Sequence, residues 1–280
     1  MDNNNKSIFA WRELLATLSQ RNLKVRYKSS ALGFFWCLLS PLSKILIFAV
    51  FAGILKFNVG KPDYLPFLVI GIIIWDFVAL CMGDALGSIV GNANLVKKTS
   101  FPRIILPLAN VWANLINFLL TFAVLFVFIL VWYIPKGTLS LQYLWLLPVI
   151  IISQAAFCLG ITALLASMNV FFRDTEHISG VFQLAWYFLT PIFYNVDMQT
   201  AKLASLGTFY PYLVFLNPMT GIACAYRYVL MGNNYKTMFE NVEAMPTVGM
   251  LSVSFAVCWI FMFVGVFVFQ KSQKMFADEL

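Results

Sequence analysis

From residue 32 onward the chain alternates between long apolar runs and short polar or basic segments. Within the runs the apolar residues are continuous and do not alternate, which predicts helices and not half-buried strands. Six runs are long enough to predict membrane-crossing helices, at about 32–56, 64–89, 104–133, 143–168, 178–195 and 247–270. A bilayer core of ~30 Å needs about 20 apolar residues per helix. The run 104–133 exceeds that length, so its helix tilts or begins outside the bilayer. The expected fold class is an all-α integral membrane bundle. A single transmembrane domain accounts for residues 1–280, with 271–280 as a tail.

Two stretches depart from this pattern. In the first, residues 1–31, Ile8, Trp11, Leu15 and Leu18 share one helical stripe while Arg12, Glu13 and Gln20 lie off it. That spacing predicts an amphipathic helix, either flat on the membrane surface or packed on a partner. The second, residues 196–246, holds Phe209-Tyr210-Pro211-Tyr212, Asn217-Pro218 and an apolar segment from Met219 to Met231. Pieces of that length are too short to cross. They predict short re-entrant or interfacial helices on the outer side, or a folded outer loop.

Composition changes the picture in one respect. The chain is 61% hydrophobic and 11% charged, with a mean hydropathy of +0.83, more apolar surface than a water-soluble domain can cover. The net charge of +7 sits between apolar runs, so it sets membrane orientation and does not point to nucleic acid. Lys6, Arg12, Arg21, Lys24, Arg26, Lys28, Lys97, Lys98, Arg103, Arg173, Lys271 and Lys274 fall on one side; Lys61, Lys136, Lys202, Arg227 and Lys236 fall on the other. The excess predicts both termini in the cytoplasm. No cleavable leader is expected, because the first apolar run follows a long polar lead. Cys37, Cys81, Cys158, Cys224 and Cys258 form no CxxC pair, and four lie inside apolar runs, where they act as small hydrophobes. The single histidine, His177, stands beside Arg173, Asp174 and Glu176 without the second His or the Cys that a metal site needs. No catalytic or metal set is expected.

The polar residues inside the apolar runs are the candidates for function, because such groups face a bundle interior or water. Gln183, Tyr187, Thr190 and Tyr194 repeat at helical spacing in the fifth run, and hydroxyls with aromatic faces suit a sugar chain. Trp36 is placed with them as channel lining. Asn110, Asn114, Asn117 and Thr121 repeat likewise in the third run, as helix–helix glue or as lining. Asp76 and Asp84 are eight apart on nearly one face of the second run, with Gly83 and Gly87 close by. Counted at 1.5 Å per residue from opposite sides, Lys44 and Asp76 reach similar depth. They are expected to pair; the rival reading is a proton or ion site.

The phosphate cradle G-x-x-x-x-G-K-[ST] is absent from the sequence, and Gly60-Lys61 is followed by Pro62. ATP would have to be used by a partner. The basic loop at 92–103 is the best handle for one. There Asn94 to Lys98 can form a short helix parallel to the membrane, and Ser100 can cap a helix that starts at Pro102.

The polar connections carry recognisable phrases. Arg21-Asn22-Leu23-Lys24-Val25-Arg26-Tyr27-Lys28 is followed by Leu32-Gly33-Phe34-Phe35-Trp36 and Ser40-Pro41-Leu42. Later come Asn94-Leu95-Val96-Lys97-Lys98, Phe101-Pro102-Arg103, Asn169-Val170-Phe171-Phe172-Arg173-Asp174, Thr190-Pro191-Ile192-Phe193-Tyr194 and Leu216-Asn217-Pro218-Met219. In order and placement they resemble the permease subunits of type-2 ABC exporters, in the branch that exports polysaccharide, O-antigen and teichoic acid. The resemblance implies a multi-pass protein of the bacterial cytoplasmic (inner) membrane, with no enzyme activity of its own. It implies a homodimer with two cytoplasmic ABC ATPase subunits, which bind the ATP and Mg²⁺, and an undecaprenyl-linked glycan moving through a channel gated by the outer re-entrant helices. It makes Asn94, Leu95, Lys97, Lys98, Phe101, Pro102 and Arg103 the coupling element. The alternatives are an exporter of another lipid or drug in the same superfamily, a secondary transporter carrying protons on Asp76 and Asp84, or a membrane enzyme acting on lipids.

Overall fold

The structure is a computed structural model. It describes residues 11–27, 35–55, 63–99, 101–139, 141–207, 209–239 and 245–279. Ile8, Lys28 to Phe34, Lys61 and Ser100, invoked above, lie outside these residues.

The described residues hold no strand. The long elements are α1 (Arg12–Tyr27), α2 (Trp36–Leu55), α3 (Tyr64–Val90), α5 (Ile105–Tyr133), α6 (Leu147–Phe171), α7 (Thr175–Leu189), α9 (Pro218–Met231) and α11 (Val248–Ser272). Short helices α4 (Ala93–Lys98), α8 (Asp197–Ala204), α10 (Asn233–Lys236) and α12 (Phe276–Glu279) connect or follow them, and Tyr210–Leu216 forms a 3₁₀ segment before α9. Proline sets several of the starts. Pro66, Pro107, Pro148 and Pro218 all stand in first turns, where the missing N–H has no intrahelical partner to lose. Asn217 caps α9 by accepting from the Met219 N–H at 3.1 Å, and Gly232 closes it at φ 55°.

α3 is the central stave. Its side chains are buried from Tyr64 to Ile89 on most sides, against α5, α6 and α9. α6 and α11 approach backbone to backbone, since a Cβ built on Gly265 would lie 2.1 Å from the Gly160 carbonyl oxygen. α9 follows the same rule, its Gly221 facing Ser254 of α11. A second apolar cluster ties the opposite end together, with Leu18 of α1, Val96 of α4, Ile105 and Leu106 of α5, Val170 of α6, Phe269 of α11 and Phe276 of α12.

Among the described residues, four helices are long and apolar enough to cross a membrane: those at Tyr64–Val90, Ile105–Tyr133, Leu144–Phe171 and Val248–Ser272. α2 contributes a shorter apolar stretch, Leu39–Val50. The run 178–195, read above as a full span, is a shorter helix. α7 has 15 residues, a rise of about 22 Å, and ends at Leu189. The cause is Pro191, which disfavours helical geometry in the residue before it; Thr190 is extended at φ −84°, ψ 135°.

Two further expectations are refined. α1 turns Leu18 and Ser19 onto α5 of its own chain and leaves Arg12, Glu13 and Gln20 exposed. The segment 196–246 contains a bent pair: Tyr210–Leu216 and α9 meet at 93°. Every side chain of α9 except Tyr228 is buried against the rest of the chain. Arg227, counted above among the outer-side charges, is fully buried.

Candidate functional site

One polar cavity of about 530 Å³ opens among α1, α2, α3, α5 and α7. Its walls carry Arg26, Trp36, Ser40, Lys44, Asp76, Asn114, Asn117, Thr121 and Gln183. Trp36 and Lys44 come from the first apolar run and Gln183 from the fifth, two runs that the sequence alone could not bring into register.

Charges in the cavity are paired. Lys44 Nζ donates to Asp76 Oδ2, with side-chain exposures of 37% and 30%, so water reaches the pair and screens it. Asp84 is held by a closed triangle. Its Oδ2 accepts from Arg26 Nη2 at 2.6 Å and from Asn114 Nδ2 at 2.8 Å, while the same Arg26 nitrogen donates to Asn114 Oδ1 at 2.7 Å. Asn110 Nδ2 donates to the Asp84 backbone carbonyl at 3.0 Å, and Asn22 Nδ2 donates to Asn110 Oδ1. The asparagine row of α5 thus does both things open to it: Asn110 and Asn114 bind α5 to α3 and α1, and Asn114, Asn117 and Thr121 line the cavity. Arg26 was not foreseen as the Asp84 partner. Arg26 stands one turn after Asn22, and only the packing of α1 on α5 turns both toward the asparagine row. Gly83 and Gly87 face open space, with no atom within 4 Å of an added Cβ.

The polar stripe of α7 does not stay on one face. Gln183 lines the cavity, and the Tyr187 ring packs against Trp75 at 5.4 Å. Thr190 is fully buried and donates to the Trp186 carbonyl at 2.9 Å. Tyr194 lies beyond the helix end and turns back, its hydroxyl donating to the Phe188 and Leu189 carbonyls at 3.1 Å each. Only Gln183 of the four lines the cavity: Tyr187 packs on Trp75, and the helical repeat cannot run through Thr190-Pro191 to the other two.

The proposed coupling residues sit together at the opposite end of the bundle. α4 spans Ala93–Lys98 with Val96 buried beneath it and Asn94, Lys97 and Lys98 exposed. Leu95 and Phe101 pack on the second apolar cluster. Arg21 Nη2 donates to Asn92 Oδ1 at 2.9 Å and links α1 to this corner. Pro102 does not begin α5, which starts at Ile105 after a turn in which the Ile105 N–H donates to the Pro102 carbonyl at 3.1 Å. Arg103 donates through Nη1 to the Gln273 carbonyl and caps the end of α11. α12 lies against α4, with the buried Phe276 ring 5.3 Å from Phe269 and 6.0 Å from Phe171. This use of the tail was not legible in the sequence.

These features define a helical membrane permease: apolar staves, a polar cavity with paired charges, and an exposed basic helix at one end. Residues 13–231 match the family described as ABC-2 type transporter, and the chain belongs to that family. Three relatives are similar over nearly their whole length. Two are described as O-antigen export system permease protein RfbA of Klebsiella pneumoniae. Both are 32% identical to this chain, over 270 and 268 residues, with 96% of this chain and 95% of the relative covered. The third carries the same description in Myxococcus xanthus and is 28% identical over 277 residues, covering 98% of each chain.

Proposed function

We propose that this chain is the membrane permease of an ATP-driven exporter that moves an O-antigen-like, lipid-linked polysaccharide across the bacterial cytoplasmic membrane. The observation that carries this reading is near-full-length similarity to O-antigen export permeases. In this reading the chain acts as a homodimer with two cytoplasmic ATPase subunits, which supply the ATP and Mg²⁺ chemistry. α2 and the broken α7 complete six passes around the four long helices, and both termini face the cytoplasm.

Each part of the chain then has a task. α4, with Lys97 and Lys98 exposed on it, meets the ATPase, and Phe101, Pro102 and Arg103 pass the push to α5 and α11. The cavity lined by Trp36, Gln183, Asn117 and Thr121 belongs to the polysaccharide path, since side-chain amides, hydroxyls and an indole face match sugar hydroxyls and C–H faces. Lys44–Asp76 and Arg26–Asp84 hold the walls of that path in place.

Deletion of the gene tests the reading. Lipid-linked polymer should build up on the inner leaflet while surface polysaccharide disappears, and a tagged chain should bring down an ABC ATPase. Unchanged surface polysaccharide would refute it.

A further inference from the structure

Arg227 is the largest fully buried side chain of the molecule's described residues, and no carboxylate bonds to it. A cation in an apolar interior is stable only if other groups take over its hydration. Three backbone carbonyls do so here. Nη1 donates to Pro191 O at 2.6 Å, Nη2 to Ile192 O at 2.9 Å and Nε to Phe67 O at 3.1 Å. The guanidinium also lies over the Phe67 ring, 3.4 Å from its centroid. Space for it exists because residue 71 is glycine; a Cβ there would stand 2.6 Å from Nη2.

The three carbonyls belong to two elements, and the arginine to a third. Pro191 and Ile192 form the break that ends α7, where carbonyls have lost their helical donors. Phe67 is in the first turn of α3. Other side chains bracket the same break. Tyr64 Oη donates to Phe193 O at 2.9 Å, Trp186 Nε1 to Asn217 Oδ1 at 2.9 Å, Asn217 Nδ2 to Thr190 Oγ1 at 3.1 Å and Asn195 Nδ2 to Met238 O at 2.9 Å. Three successive carbonyls of the break, those of Pro191, Ile192 and Phe193, are thus each answered by a side chain of another element.

We propose that Arg227 is a positioning residue that locks the broken end of α7, the re-entrant α9 and the start of α3 into one body. The far end of the bundle then opens and closes by moving that body as a unit. The purpose of the lock rests on the export reading, whereas its geometry does not.

Hydrogen exchange read by mass spectrometry on the full chain in detergent tests it. In Arg227→Gln, peptides covering 189–196 should exchange about 10- to 100-fold faster, the factor expected when charge-assisted bonds to backbone carbonyls are lost. α6 and α11 should be unchanged. Arg227→Lys should fall between, because one ammonium cannot reproduce the planar fork. Gly71→Ala, which pushes the guanidinium aside and keeps its charge, should loosen the same peptides and decides the matter if Arg227→Gln yields no folded protein. Unchanged exchange at 189–196 in these variants would overturn the proposal, as would a uniform rise that includes α6 and α11. In cells, surface polysaccharide should drop about tenfold in Gly71→Ala at equal membrane abundance; normal export with a loosened 189–196 would remove the positioning role. If the unsubstituted chain exports no polysaccharide, the export reading fails while the exchange result still judges the lock.

Discussion

Replacing Lys44 by Gln leaves the Asp76 carboxylate without its ionic partner, and replacing Asp76 by Asn does the same to the ammonium. The size of the effect follows from distance and wetting. Two unit charges about 4 Å apart attract by about 4 kcal/mol at an effective dielectric of about 20. Both side chains are about one-third exposed to the cavity, so screening and desolvation remove at least half of that. A coupling of about 1–2 kcal/mol remains. The assay is a double-mutant cycle on the melting temperature in detergent, with Lys44→Gln, Asp76→Asn and the pair together. Each single change should lower Tm by about 2–8 °C, using about 2–4 °C per kcal/mol for a chain of this size. The double variant should lie at or above the better single one, because no orphan charge is left. Additive losses would refute the reasoning and leave Asp76 free to serve as an independent proton or ion site.

Other expected outcomes follow from the same geometry. Gly265→Ala puts a methyl 2.1 Å from a backbone oxygen that cannot move aside, and should cost about 1–3 kcal/mol, seen as a lower Tm; Gly83→Ala, with open space around it, should be neutral or slightly stabilising. Charge reversal of Lys97 and Lys98 should abolish co-purification of the ATPase without moving Tm, since both side chains are exposed; retained binding would place the docking surface elsewhere. Phe276→Ala empties a fully buried ring site and should cost about 3 kcal/mol, with faster hydrogen exchange in α4 and in the last turn of α11.

Element existence was legible wherever an apolar run exceeded the bilayer thickness. α3, α5, α6 and α11 needed only that count. The short α4 was legible from Asn94 to Lys98, and depth counting alone put Lys44 opposite Asp76, where the structure pairs them. The failures have a common cause. Helical periodicity describes one element at a time and stops being informative at a break. Thr190-Pro191 was in plain sight, yet the stripe from Gln183 to Tyr194 was carried through it, and a helix that ends at Leu189 cannot present Tyr194 on that face. Arg227 was counted as an outer-side charge because hydropathy cannot tell a helix buried in the bundle from a surface one. The clue was a lone arginine inside an otherwise apolar segment, where only interior carbonyls could hold it. Arg26, Asp84 and Asn114 come from three parts of the chain, and their triangle depends on the crossing of α1 over α5, which no local pattern encodes.

Two cations and two anions around the cavity cancel, Arg26 with Asp84 and Lys44 with Asp76. Such a wall exerts little net field on whatever passes. On the proposed export path, a neutral sugar unit would meet amides, hydroxyls and an indole among the lining groups, each a weak and replaceable contact. A polymer of many such units must let go of every contact as readily as it makes it, or it stalls. If the proposed path is right, self-neutralising walls would give slippage in place of grip, so that force applied at one end could advance the whole thread.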